Sequence, residues 1–491
     1  MMDQLIALQI IIPLVAAPVC VIFYYPRLTW LIATLASFFC LGIALTLLNI
    51  VGEHGVISYA MGAWAAPIGI ELRIDMLNAW MLVIVSGISS ISLLFAYTSI
   101  EQEISEHRIF LFYTGWLLCL TGLLGICITG DAFNVFVFLE ISSLSSYMLI
   151  SMANTPRALT ASFNYLILGT IGGSFILIGI GLLYVMTGTL NMIDINTSLA
   201  GVNHSNTVHT AFAFILIGAL IKAAIFPLHF WQPNAYTYAP TAVSVFLAGT
   251  TTKVSFYLIV RFAFTVFGVE YSFGQMNLDS ILMVMAISAM LIGPGVAIFQ
   301  TNLKRILAWS SIGQLGYIVL GICMLNLQGL SASMLYLFNH ALIKASLFMA
   351  VGCLIYRIGI ATTENIKGIG KRMPYSMMAF VFGGLSLIGV PLTNGFISKW
   401  YLITAALEQQ AIFVVIAIII SSLLAIVYIW RIVELMYFGE LSEQNKDIKE
   451  APLTLLLPVW FLIFANFYFG INPEFPISIA EQVAVSLMGS T

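Results

Sequence analysis

The chain has 491 residues, 61% hydrophobic and 8% charged, with a formal net charge of -3 and a mean hydropathy of +1.03. Soluble domains carry about 25% charged residues, so the composition excludes a water-soluble enzyme and places the chain in lipid. The longest polar stretches, Arg357 to Pro374 and Gly439 to Pro452, are too short to bury a core of their own, which argues against nucleotide or flavin chemistry here.

A spanning helix takes roughly 20 mostly apolar residues, and cutting the sequence at clusters of Pro, Gly and charge leaves about 14 such segments. They are 4–24, 29–50, 76–98, 109–129, 132–153, 159–186, 209–230, 241–265, 279–300, 305–326, 330–356, 374–404, 410–437 and 453–471. Lipid forces each to be helical, since every backbone polar group must be satisfied within its own segment. The first has no basic flank and no small-residue cleavage site, so it reads as a retained span. Cys20, Cys40, Cys119, Cys127, Cys323 and Cys353 are scattered without a Cys-x-x-Cys pair, against a disulfide framework, an iron-sulfur cluster or a zinc site.

Arg27, Arg108, Arg157, Lys304, Arg305, Arg357, Lys367, Lys371, Arg372, Arg431, Lys446 and Lys449 fall in or beside alternate connections, while the intervening ones hold only Arg73. The positive-inside rule makes the basic connections cytoplasmic. An even number of spans then puts both termini on the outer side of a bacterial or archaeal plasma membrane.

The seventh and twelfth spans carry matching interruptions. Lys222 precedes Pro227 in LIKAAIFPLHFWQP, and Gly389, Pro391 and Gly395 precede Lys399 in GVPLTNGFISKW. Paired breaks at corresponding places point to an inverted repeat with a binding site between its halves. The expected fold is all-α, with two inverted five-helix units over 105–270 (spans 4 to 8) and 271–440 (spans 9 to 13). Three helices over 1–104 precede them, and a fourteenth helix with a tail follows over 441–491.

Lys222, Lys253, Arg261, Lys344 and Lys399 lie inside spans, where a charge costs at least about 2.5 kcal/mol and is functional by default. Glu140, nine residues beyond Asp131, is roughly 13 Å deep at about 1.5 Å per residue and needs a cation, for which Lys222 is the natural candidate. Burial disfavours the charged ammonium and a carboxylate favours it, so a lysine that gains and loses Glu140 can bind and release a proton. The alternative is a static ion pair joining two helices. Lys253 follows Thr250, Thr251 and Thr252, whose hydroxyls can hold water beside the ammonium. His340 and Lys344 stand at i and i+4 on one helix face, and a histidine can relay protons between the regions of Lys253 and Lys399. Lys399, with no acid at mid-span, is expected to exchange protons with one aqueous phase.

Arg261 is expected to snorkel outward in a structural role. Asn134, Ser142, Ser143, Ser145, Ser146, Ser310, Ser311 and Gln314 either line water or join helices. His229 is placed near the cytoplasmic mouth, and Trp231, Trp400 and Trp430 are assigned to an interface belt.

Six segments together, GDAFNVFVFLEISSLSSY (130–147), LIKAAIFPLHFWQPNAY (220–236), TTKVSFYLIVR (251–261), LKRILAWSSIGQLGY (303–317), FNHALIKASLFM (338–349) and GFISKW (395–400), resemble the antiporter-like subunits. These are shared by Mrp-type Na+/H+ antiporters, respiratory complex I and membrane-bound hydrogenases. The resemblance implies 14 helices in the same two units, and matches Glu140, Lys222, Lys253, His340 and Lys399 to the family's ionisable line. Length and Lys399 suit the D-type branch of the Mrp antiporters, while GVPLTNGFISKW also resembles chains of membrane-bound hydrogenases. The expectation is a non-enzymatic transporter subunit without cofactor, metal or nucleic acid, working beside other membrane subunits on protons and Na+ (or Li+ or K+). The competing expectation is the proton-pumping subunit of a redox complex.

Overall fold

The computed structural model describes residues 2–441 and 445–489. Among them are helices α1 (Met2–Ile22), α2 (Pro26–His54), α3 (Met76–Glu103), α4 (Ile109–Ile128), α5 (Ala132–Ser151), α6 (Pro156–Thr187), α7 (Met192–Leu199), α8 (Asn206–Lys222), α9 (Trp231–Tyr238), α10 (Thr241–Gly249), α11 (Thr251–Val260), α12 (Leu278–Ile298), α13 (Leu303–Cys323), α14 (Leu327–Ile358), α15 (Pro374–Ile388), α16 (Asn394–Glu408), α17 (Ile412–Phe438), α18 (Leu453–Ile471) and α19 (Glu474–Met488). Among the described residues, twelve helical stretches are long and apolar enough to cross a membrane. The seventh expected span, 209–230, stays helical only to the end of α8 at Lys222, with α9 beginning just beyond it, and the twelfth is split into α15 and α16; the fold is the all-α polytopic one read from the sequence.

Burial is inverted relative to a soluble protein. Phe39, Phe163, Val284, Leu457 and Phe461 are exposed on the outside, while Lys222, Lys253, His340, Lys344 and Lys399 are buried. An apolar surface of that extent is tolerable only against lipid.

Spans five and ten, and spans six and eleven, start alike. The Asp131 side chain accepts from Asn134 N at the head of α5, and Asn302 accepts from Arg305 N at the head of α13. Thr155 and Asn326 cap α6 and α14 in the same i to i+3 manner. Each cap satisfies an amide that the helix leaves unpaired. Packing repeats as well: α5 lies between α4 and α6 as α13 lies between α12 and α14, and α6 packs on α8 as α14 packs on α15 and α16.

Contacts between connections fall into two sets, as alternation demands. On one face Lys304 reaches Ala239 O, Arg357 reaches Glu450 O, and Asn302 bridges Thr362. On the other, Asp131 bridges Asn191, Leu72 bridges Thr129, and Asn326 reaches Glu408. A short hairpin, β1 (Ile57–Ala60) with β2 (Glu71–Ile74), lies on this second face with Ile57 opposite Ile74.

Three expectations change. Span eight is interrupted at Thr250, which separates α10 from α11 and has non-helical φ and ψ of -125° and -61°. The tail after span fourteen forms α19, packed on α14 and α3. Trp231 is no belt residue: it is 1% exposed and its indole donates to Ile221 O at 2.9 Å, whereas Trp400 and Trp430 are exposed.

Candidate functional site

The site begins where helices break. In the seventh span α8 ends on Lys222, and Ala224, two residues on, has a left-handed φ of 54°. In the twelfth, Gly389 and Leu392 have φ of 89° and 73°. A non-glycine residue at positive φ stores strain of order 1–3 kcal/mol and is found mainly where function requires it. Both breaks carry one.

Lys222 Nζ lies 3.3 Å from Glu140 Oε1 and donates to Ser143 Oγ at 2.7 Å. The carboxylate comes from α5 and the ammonium from α8, so the pair couples the two helices. A cavity of about 10 Å³ adjoins it, lined by Lys222, Ser142, Ser143, Thr251 and Ser255. That is the size of one water, and it leads from the pair to α11, which carries Lys253.

Lys253 is fully buried and donates to Ala248 O, in the last turn of α10. Of the threonines before it, Thr250 donates its hydroxyl to Phe246 O, and Thr251 Oγ1 is buried without a partner among the described residues. Lys399 repeats the pattern. Its ammonium donates to Leu387 O at 3.3 Å and Ile388 O at 2.7 Å, the last carbonyls of α15, and to Ser422 Oγ at 3.0 Å. The carbonyl end of a helix carries partial negative charge, so each break supplies a cation site from its own backbone. Gly389 makes room for this, because a Cβ there would lie 2.9 Å from Lys399 Cδ.

Lys253, His340 and Lys344 are within mutual electrostatic reach. Lys344 donates to Leu307 O at 3.1 Å and to Ser310 Oγ. Both imidazole nitrogens of His340 are buried without a hydrogen-bond partner among the described residues. From Ser310 a polar face runs along α13 at i, i+4 and i+7: Ser310 meets Lys344, Gln314 accepts from Tyr336 Oη, and Tyr317 lies beneath Lys399 with 4.9 Å from Nζ to the ring centre. Tyr317 and Tyr336 stack at 5.4 Å, and Tyr317 Oη is 3.3 Å from Ser422 Oγ. Lys344 and Lys399 are thus joined through α13 by hydroxyl, amide and aromatic groups.

Sequence reasoning missed Tyr317, Tyr336 and Ser422. The i, i+4, i+7 spacing within SSIGQLGY was the signal for Tyr317; Ser422 sits in an apolar run that gave none. It also treated Lys304 as a loop charge. Lys304 is buried and donates to Ala239 O at 2.6 Å, while Glu103 accepts from Thr241 N at 2.7 Å. Together they hold both ends of the α9–α10 corner.

Among the weaker candidates, Arg261 does not snorkel freely but forms a two-pronged pair with Asp75 at 2.7 and 3.0 Å. His229 is buried between Phe226 and Phe230 rather than open at a mouth. The described residues contain no group of His, Cys, Asp and Glu able to hold a metal.

The family model described as NADH:quinone oxidoreductase/Mrp antiporter, TM, matches residues 129–463. The N subunit of the NADH-quinone oxidoreductase of Desulforudis audaxviator is 38% identical over 439 residues, 87% of each chain. The D subunit of the Na(+)/H(+) antiporter of Alkalihalophilus pseudofirmus is 28% identical over 491 residues, 100% of this chain and 98% of the relative. Among solved structures, a chain of the Mrp complex from Dietzia sp. superposes with a TM-score of 0.91 at 26% identity, covering 99% of this chain and 98% of that one. With the family model matching more than half of its length, this chain belongs to the NADH:quinone oxidoreductase/Mrp antiporter transmembrane family, as an antiporter-like membrane subunit.

Proposed function

We propose that the protein is the proton-translocating subunit of a multisubunit monovalent cation/proton antiporter, exchanging Na+ for protons beside other membrane subunits. The units over 105–270 and 271–440 would each form half of the path. The observation that carries the reading is how the buried ammonium groups are held: Lys253, Lys344 and Lys399 rest on backbone carbonyls and hydroxyls, and only Lys222 has a carboxylate. Neutral acceptors do not fix an ammonium in its charged form as a carboxylate does, so these amines are suited to exchange protons. Movement of Glu140 away from Lys222 would release the Lys222 proton towards Thr251 and Lys253, and His340, Lys344 and the α13 face would carry charge on to Lys399.

A second reading has its own support. The redox-complex relative, at 38% identity, is more similar in sequence than the antiporter relative at 28%, which favours a proton-pumping subunit driven by electron transfer in neighbouring chains.

Inverted vesicles carrying the assembled complex separate the two. Na+-dependent proton movement without any electron donor, abolished by Glu140→Ala, Lys222→Ala and Lys399→Ala at equal assembly, is the expected result. Activity that appears only with a reductant supports the redox reading, and full exchange by the variants removes these residues from the path.

A further inference from the structure

Two cavities on the periphery of the helix bundle meet at Tyr97. One, of about 500 Å³, opens at the α1–α2 turn and the α3–α4 connection and is lined by Arg27, Glu101 and Glu106. The other, of about 730 Å³, is an apolar groove between α2, α3 and α18, lined by Trp30, Leu94, Leu457 and Phe461. Tyr97 belongs to both and packs on Trp30 with ring centres 4.6 Å apart. Trp30 is fixed in turn by its indole bond to Leu93 O at 2.9 Å. A Trp–Tyr pair at the junction of polar and apolar surface marks headgroup depth.

The charges in the mouth do not neutralise one another: among the described residues Arg27, Glu101 and Glu106 form no ion pair. One cation and two acids fit a ligand that carries both signs, and the groove beneath fits a hydrocarbon chain. A wholly apolar helix of a neighbouring subunit would fill the groove but leave the three charges unmatched. We propose that this surface binds a membrane phospholipid with an amine-bearing zwitterionic headgroup, its phosphate on Arg27, its ammonium on Glu101 and Glu106, and an acyl chain along Tyr97, Trp30 and Leu457. The site lies outside the lysine line and does not depend on the antiport reading.

The test is native mass spectrometry of the intact complex released from vesicles holding equal amounts of ethanolamine and glycerol phospholipids. Wild type retains the ethanolamine lipid preferentially. Arg27→Ala lowers that retention by about fivefold, the effect of one basic residue at a membrane surface, and Leu457→Trp, which fills the groove, lowers it too. The double variant Glu101→Gln/Glu106→Gln shifts the preference to the glycerol lipid. Equal retention in all variants, or preference of the wild type for the glycerol lipid, overturns the proposal. So does a photoreactive group attached at Leu457→Cys that cross-links to a neighbouring subunit instead of lipid.

Discussion

Glu140 has no free space on its α6 side. A Cβ at Gly173 would lie 2.2 Å from Glu140 Oε1 and 3.8 Å from Lys222 Nζ, so this glycine sets the position of the carboxylate. Gly173→Ala should push Glu140 off Lys222 and cut exchange by roughly tenfold or more, the effect of about 1.4 kcal/mol on the pairing. The same change favours the helix itself by up to about 1 kcal/mol, so activity should fall while helical content is kept; unchanged exchange would mean that the pair tolerates displacement. Glu140 and Lys222 were legible in the sequence because a lone acid at mid-span demands a partner. Gly173 was not, since glycines are common in membrane helices and nothing local distinguishes the one facing a carboxylate. Ser143 and Ser310, by contrast, were read only as part of a polar group, and the folded chain sets each against a particular lysine.

At the scale of elements, breaks rather than whole helices organise the line, and the α9–α10 corner joins two of them. Trp231 ties α9 back to Ile221 O beside Lys222, and α10 ends at the carbonyls that hold Lys253. Glu103 from α3 caps the start of α10 through Thr241 N, and Lys304 from α13 holds Ala239 O. If the corner keeps the two lysine sites in register, Glu103→Ala should impair exchange, while Glu103→Gln, which can still accept from Thr241 N, should keep most of it; loss of a cap costs about 1 kcal/mol. Comparable loss in both variants would show that the charge, not the cap, is what matters. The breaks in spans seven and twelve could be read from Pro and Gly beside a lysine. The break at Thr250 also has a glycine beside it, Gly249, four residues before Lys253, but one glycine without a proline is ordinary in a membrane helix and gave no reason to split the span. The α19 helix was hidden for the opposite reason: Pro473 and Pro476 interrupt a stretch too short and too polar to count as a span, and its place depends on packing against α14 and α3.

For the molecule as a whole, the all-α polytopic fold followed from hydropathy alone, because lipid leaves the backbone so few choices. How the N-terminal helices attach to the helices after them did not follow, since one of the bonds that joins them links residues 186 positions apart. Asp75, ahead of α3, meets Arg261 at the end of span eight, on the face opposite the basic connections. Burial alone would push the Asp75 carboxyl up, but the Arg261 guanidinium and its hydrogen bonds prevail and hold it below the ordinary carboxylate value. A carboxyl lowered in this way contributes stability that is fully present above its unfolded value of about 3.9 and is lost only as pH falls towards the folded value. Asp75→Asn keeps an N-cap side chain but leaves the guanidinium buried without a counter-charge, at a cost of about 3 kcal/mol. Thermal unfolding of the solubilised complex should therefore show the variant destabilised equally at pH 5 and pH 8. A penalty that disappears at pH 5 would mean that Asp75 is already protonated there, and no penalty at either pH would mean that the remaining contacts, the Glu103 bond to Thr241 N and apolar packing among them, hold the N-terminal helices without this pair.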